Sequence, residues 1–172
     1  GADKDYGGAF KVTGNLSDTF EDRVINFPIA EQSIIGFGIG YALSGNPAIC
    51  EIMFGDFTTL IVDQVYQHAT KFTKMYGKKI NLPLIIRTPM GGGRGYGPTH
   101  SQSLEKLFIG CDGLQIISVN SLVDSDTTYK NLIKDGRPSL IFENKIGYNS
   151  TPDIYDGFNI YAAKEQYPTI LI

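Results

Sequence analysis

The sequence predicts an α/β fold, a three-layer domain with a mostly parallel, twisted sheet and helices on both faces. Three observations predict it. Five short runs, at residues 23–27 (RVINF), 48–54 (AICEIMF), 82–87 (LPLIIR), 114–119 (LQIISV) and 139–143 (SLIFE), are largely continuous in apolar residues rather than alternating. Strands covered on both faces carry this pattern, and such strands belong to parallel sheets. Segments with helical spacing separate most of these runs, the order expected of βα units. Finally, 42% of the 172 residues are hydrophobic, enough for one core and too few for two large domains.

Taken in order, a loop and a short helix around VTGNLSDTF precede the first strand, which Pro28 ends. Residues 30–43 (AEQSIIGFGIGYAL) read as a helix with small residues at Gly36, Gly38, Gly40 and Ala42. An interior glycine costs a helix about 1 kcal/mol against alanine, so something is expected to pack close to it. Gly45-Asn46-Pro47 is a stop signal before the second strand. Residues 58–76 read as one long helix, with Ile61, Val65, Ala69, Phe72 and Tyr76 as its buried stripe and Asp56, Thr58 or Thr59 as its cap. The third strand runs into a glycine-rich loop at 89–98 (PMGGGRGYGP). A helix at 101–108 closes at Gly110 and Gly113, and a further helix at 121–135 is expected to be capped by Ser121. Residues 148–164 have weak periodicity, and 167–172 (YPTILI) resemble the opening strand of a further unit.

Composition narrows the function. The net charge is −3 with no basic block, which argues against a nucleic-acid backbone binder. No stretch approaches the ~18 apolar residues of a membrane span. The chain opens on GADKDYGG, with no signal peptide and no initiator methionine, which reads as a processed or cut chain. Cys50 and Cys111 lie in or beside apolar runs and read as buried thiols, with no disulfide framework or zinc spacing. Charged residues are only 19% of the chain, against ten tyrosines and ten phenylalanines. That balance suggests a large buried interface, though a glycine-rich fold would also produce it.

In parallel sheets ligands sit beyond the carboxyl ends of the strands, and the informative residues fall there. Glu31 opens a nearly uncharged helix. It reads either as a carboxylate favoured by the helix dipole or as a buried group that handles a proton. Asp56 reads as a helix cap. Met53 and Phe57 are core residues or the apolar wall of a site for a flat ring. Glu51 interrupts an apolar strand and needs a partner, within the chain or across an interface. His100 follows ten residues that contain five glycines, and reads as a local cap or as an acid, base or substrate binder. His68 reads as structural. The GGGRGYG loop matches neither a phosphate loop nor the dinucleotide fingerprint.

Several segments in order carry a resemblance. These are GGAFKVTGNL (7–16), RVINFPIAEQSIIGFGIGYALSG (23–45), AICEIMFGDFTTLIVDQV (48–65), LPLIIRTPMGGG (82–93), THSQS (99–103), DGLQIIS (112–118) and PSLIFENKIGY (138–148). With them the chain resembles the pyrimidine-binding domain of thiamine-diphosphate enzymes, and within that group the E1 beta subunit of 2-oxoacid dehydrogenase complexes. The resemblance implies that Glu31 hydrogen-bonds N1′ of the cofactor's aminopyrimidine and that Met53 and Phe57 line and stack on that ring. It implies that His100 serves steps after decarboxylation and in reductive acylation. It also implies a structural potassium site, built mostly from backbone carbonyls near Leu84, Leu132, Asp135 and Arg137.

The implied activity is thiamine-diphosphate-dependent oxidative decarboxylation of a 2-oxoacid, with acyl transfer to a lipoyl group on E2. The implied partners are an alpha subunit or alpha-like domain that holds the diphosphate and Mg²⁺, the lipoyl-bearing E2, and a second beta subunit in an α₂β₂ assembly. No nucleic acid or membrane partner is implied. Localisation would be cytoplasmic in a bacterium and the mitochondrial or plastid matrix in a eukaryote. By the same comparison residues 1–172 are one pyrimidine-binding domain without the family's first strand and helix. Its tail at 148–172 leads towards a C-terminal domain, and the polypeptide alone is expected to be inactive. The segment SVNSLVDSDTT (118–128) departs from the family's commoner Ser/Pro-rich stretch. The competing functions are a transketolase-like carboligase, an inactive structural paralogue, and a nucleotide-binding module. The last would need glycines where Pro28, Ile29 and Ala30 stand.

Overall fold

A computed structural model describes residues 6–120 and 124–149. Four strands form one sheet: β1 (Ala48–Glu51), β2 (Leu84–Met90), β3 (Gln115–Val119) and β4 (Ser139–Asn144). Their order is β1-β2-β4-β3 and every pairing is parallel. The twisted α/β sheet predicted from the apolar runs is therefore present. β2 is buried along its whole length, as its continuous apolar sequence requires for a central strand.

Alternation along each strand divides the core between the two faces of the sheet. Leu84, Ile86, Leu140 and Phe142 join Ile35, Ile39, Ile61, Val65 and Phe108 on one face. Ile85 and Ile141 join Leu132 on the other, with Tyr129 and Ile133 packed against them. After the short helix α1 (Leu16–Thr19), helix α2 (Glu31–Leu43) and the helical run after β1 cover the first face; α4 (Ser125–Asp135) covers the second. Gly38 lies against β1, where a Cβ would come within 2.3 Å of the Cys50 sulfur. That contact explains one glycine in α2. Cys50 and Cys111 are free and buried, and burial pushes the Cys50 thiol up to about 11.

Several boundaries differ from the sequence reading. Residues 23–27 are not a strand: Glu21–Arg23 is a 3₁₀ turn and the chain then runs irregularly to α2. The free edge of β1 is not adjacent to this segment. A groove of ≈ 1630 Å³ separates them, lined on one side by Val24, Ile25 and Phe27 and on the other by Ala48, Ile49 and Glu51. A strand-like sequence without a neighbour to pair with has no ladder to join.

Residues 58–76 form three short helical pieces rather than one helix. They are a 3₁₀ turn at Gly55–Ile61, a π segment at Gln64–Ala69 and α3 (Phe72–Tyr76). Ile61, Val65 and Ala69 are buried as predicted, but Tyr76 is 61% exposed. The predicted helix at 101–108 is reduced to a 3₁₀ turn at Glu105–Leu107. α4 starts at Ser125, where the Asp124 carboxylate accepts from the Thr127 amide at 2.9 Å. The Ser121 cap and the tail beyond 149 lie outside the described residues. Among those residues no helix is long and apolar enough to cross a membrane.

Candidate functional site

The carboxyl ends of β1, β2 and β4 carry three neighbouring groups of side chains. The first is a closed ionic network. Arg87, on β2, donates through Nε to Glu143 at 3.1 Å and through its terminal nitrogens to Glu143, to Glu51 and, at 3.1 Å, to the Tyr148 hydroxyl. Tyr129 donates to the Glu143 carboxylate at 2.8 Å, and Tyr148 donates to its other oxygen. The residues meet because Glu51, Arg87 and Glu143 project from neighbouring strands; Glu51 pairs with Arg87 in register.

Burial alone would raise the Glu143 carboxyl. The hydrogen bond and charge of Arg87 outweigh it, with help from the two tyrosines, and hold it below the ordinary range. Burial beside that carboxylate pushes both phenols well up. Glu51 is thus a satisfied carboxylate with its partner inside the chain.

The second group is Glu31 with Met53. Both line the groove. Glu31 occupies the first turn of α2, behind Ala30, which supplies no side-chain cap. Its carboxylate makes no hydrogen bond or ion pair with the described residues. The alternation of small residues after it keeps α2 close to the sheet at Gly38 and open at Gly36 and Gly40.

The third group surrounds Phe54. The His100 ring stands edge-on to Phe54, with centroids 4.7 Å apart, and edge-on to Phe57 at 5.3 Å. Phe10 and Tyr96 pack on the other sides of Phe54 at 5.8 and 5.5 Å. The Thr99 hydroxyl lies 2.9 Å from His100 Nδ1. Asp56 is not a helix cap. It is 5% exposed, and its Oδ1 accepts from the backbone amide of Gln102 at 3.3 Å and from its side chain at 2.8 Å.

The sequence candidates therefore fall into two adjoining sets, Glu31 with Met53 and Phe57 with His100, joined through the Met53-Phe54 step of the chain. His68 is elsewhere, half exposed and 3.8 Å from Asp63. The four positions considered for a cation lie at the opposite, amino end of the strands. Leu84 begins β2, Leu132 and Asp135 end α4, and Arg137 pairs with Asp135 at 2.7 Å. Among the described residues no group of three or more His, Cys, Asp or Glu side chains is arranged to hold a metal.

Sequence reading missed Lys145, which is fully buried and donates to the His100 carbonyl. Its signal was a lysine just past the strand end Glu143-Asn144, a position that reads as an ordinary exposed loop cation.

Residues 1–151 match the transketolase pyrimidine-binding domain. The chain is 37% identical over 143 residues to the 2-oxoisovalerate dehydrogenase subunit beta of Bacillus subtilis, covering 83% of this chain and 44% of that one. It is 37% identical over 150 residues to the pyruvate dehydrogenase E1 component subunit beta of Porphyra purpurea, covering 87% and 45%. A mitochondrial 2-oxoisovalerate dehydrogenase subunit beta 2 of Arabidopsis thaliana is 37% identical over 147 residues, covering 84% and 41%. The chain thus spans less than half the length of these relatives. It belongs to the transketolase pyrimidine-binding domain family and is homologous to the E1 beta subunits of 2-oxoacid dehydrogenases.

Proposed function

We propose that this chain is the pyrimidine-binding part of the beta component of a 2-oxoacid dehydrogenase E1, and that it acts with thiamine diphosphate. The observation that carries the reading is Glu31. It is a half-buried carboxylate with no hydrogen-bond or ion-pair partner among the described residues, on a groove wall shared with Met53.

The residues present fit one half of that cofactor. A free carboxylate beside a thioether surface suits a flat ring whose nitrogen takes a proton, and it does not suit a diphosphate. The buried cation of the groove, Arg87, is already shared by two carboxylates. Glu31 would hold a proton at N1′, Met53 and Phe57 would bound the ring, and His100 would serve the acyl-transfer steps. The bound cofactor supplies the electron sink for loss of CO₂. The protein's part is to orient the ring, hold the Glu31 carboxylate against it, and exclude water with Phe54 and Phe57.

An alpha subunit would hold the diphosphate and Mg²⁺, a lipoyl-bearing E2 would take the acyl group, and a second beta subunit would complete the assembly. A potassium ion near Leu84, Leu132, Asp135 and Arg137 would brace the far end of the sheet. The compartment would be the cytoplasm in a bacterium, or the mitochondrial or plastid matrix in a eukaryote. Residues 1–172 would be one pyrimidine-binding domain without the family's first strand and helix, leading towards a C-terminal domain.

The test uses the full-length protein with its co-purifying partner, thiamine diphosphate and Mg²⁺. Dye reduction is followed with pyruvate, branched-chain 2-oxoacids and acetoin. Turnover on one of them, lost on Glu31→Gln, supports the reading and names the substrate. No turnover on any, with the partner bound, would sink it in favour of a carboligase or an inactive paralogue.

A further inference from the structure

The Phe54 cluster contains a buried charge, Lys145, that has no part in the function proposed for Glu31 and His100. Lys145 follows β4 directly, and its backbone amide donates to the Met90 carbonyl at 3.0 Å. No part of the residue reaches solvent. Its ammonium lies 5.0 Å from the Phe54 ring centre and 5.5 Å from that of Tyr96, within range of a cation–π attraction. Its hydrogen-bond acceptor is the backbone carbonyl of His100. Burying an ammonium is costly unless it is paired and hydrogen-bonded, and desolvation does lower the Lys145 pKa while the Asp56 charge opposes that shift.

Asp56 is the complementary half. One carboxylate oxygen takes both nitrogens of Gln102; the other, Oδ2, is buried without a hydrogen-bond partner. The segment 99–102 is therefore fastened at two successive points, by a cation on the His100 carbonyl and an anion on the Gln102 amide. Its upstream side consists of glycines with positive φ, at Gly91, Gly93, Gly95 and Gly97, and supplies little rigidity of its own. Among the described residues, the His100 imidazole has only ring contacts and the Thr99 hydroxyl to orient it. The backbone fastening is what remains to set where that ring stands.

We propose that Lys145, backed by Asp56, is a positioning residue for His100: it clamps the His100 carbonyl so that the imidazole is held at the mouth of the site against Phe54 and Phe57. The catalytic consequence rests on the function proposed above, but the clamp itself does not. A displacement of about 1 Å in a reacting group can cost about 100-fold in rate. Loss of the clamp therefore acts on kcat rather than on substrate binding.

The experiment compares wild type, Lys145→Met and Lys145→Gln in the full-length protein with its partner. Diethyl pyrocarbonate labelling of each histidine is followed by mass spectrometry, and His68, remote and half exposed, is the internal control. Lys145→Met should raise His100 labelling several-fold with His68 unchanged. Lys145→Gln, which keeps a donor, should fall between Lys145→Met and wild type. In the turnover assay Lys145→Met should lower kcat about 10- to 100-fold with KM changed less than about twofold.

If Lys145→Met raises labelling at His68 as well, the chain has opened globally and Lys145→Gln decides. A rise confined to His100 supports the clamp, and His100 unchanged overturns it. Unchanged His100 labelling in Lys145→Met overturns the proposal outright. A wild type with no turnover on any 2-oxoacid removes the functional reading and leaves the labelling comparison standing.

Discussion

Two carboxylate groups stand at the same end of the sheet and are treated in opposite ways. Glu143 is saturated and Glu51 is paired: one guanidinium and two phenols fill Glu143, and the same guanidinium takes one oxygen of Glu51. Glu31, on the wall of the same groove, has no hydrogen-bond or ion-pair partner among the described residues. Buried ionic groups that satisfy one another hold a structure in one arrangement and have no capacity left for a ligand. A half-buried carboxylate left open keeps both oxygens available to a ligand. The difference locates the chemistry more sharply than charge alone does, since every one of these residues is acidic and close to a strand end.

The largest expected effect breaks the closed group. Arg87→Met leaves two carboxylates without their cation, and the removal of one partner from a buried pair costs about 3–5 kcal/mol. Urea unfolding should show it as a fall in midpoint at constant slope; a loss under about 1 kcal/mol would mean the network is not the closed unit described. The same network sets an acid limit. Glu143 titrates below its ordinary value of 4.5 in the folded chain. As pH falls below that value the unfolded state takes up the proton first, and stability declines until the folded carboxyl also protonates. Arg87→Met should flatten that decline, and equal acid slopes in the two proteins would contradict the assignment.

Glu31→Gln tests the open group. It removes no partner, so unfolding should move by less than about 0.5 kcal/mol. Turnover of the assembled enzyme should fall at least about 100-fold, the scale of one lost proton-transfer group. The contrast with Arg87→Met is the point. One substitution is expected to cost stability, the other activity, and a stability loss at Glu31 would mean it has a structural partner after all.

How much of this could be read in advance depended on whether a residue's setting is local. The four strands were legible because continuous apolar runs report burial on both faces, and α2 was legible from its period. Residues 23–27 were not, because a strand exists only beside another strand, and a groove lies where the neighbour would be. The interruption of 58–76 was also hidden, since its β-branched residues (Thr58, Thr59, Ile61, Val62, Val65, Thr70 and Thr73) weaken a helix without marking where it breaks. For the site, Glu31, Met53, Phe57 and His100 were named from motif resemblance and strand-end position. Asp56 was misread as a cap, and Lys145 was passed over, because each is defined by a partner about 45 residues away in sequence. Separation of that size leaves no trace in local spacing.

The smallest effects concern the glycines of α2 and sharpen the same contrast between filled and open surroundings. At Gly38 a Cβ would meet the Cys50 sulfur at 2.3 Å and Leu84 at 3.1 Å. Gly38→Ala should therefore cost about 1–3 kcal/mol through overpacking. Gly36 and Gly40 have no atom within 4 Å of the added carbon, and they lie exposed beside Phe37 and Tyr41, whose rings stack with centroids 6.1 Å apart. In the isolated chain Gly36→Ala and Gly40→Ala should each add about 1 kcal/mol through helix propensity alone. If that gain is accompanied by weaker assembly with the partner subunit, measured by sedimentation, the glycines are kept for a chain that packs on this face. A gain in stability with assembly unchanged would leave them without that reason, and the face of α2 that carries Phe37 and Tyr41 would have to be removed from any proposed interface.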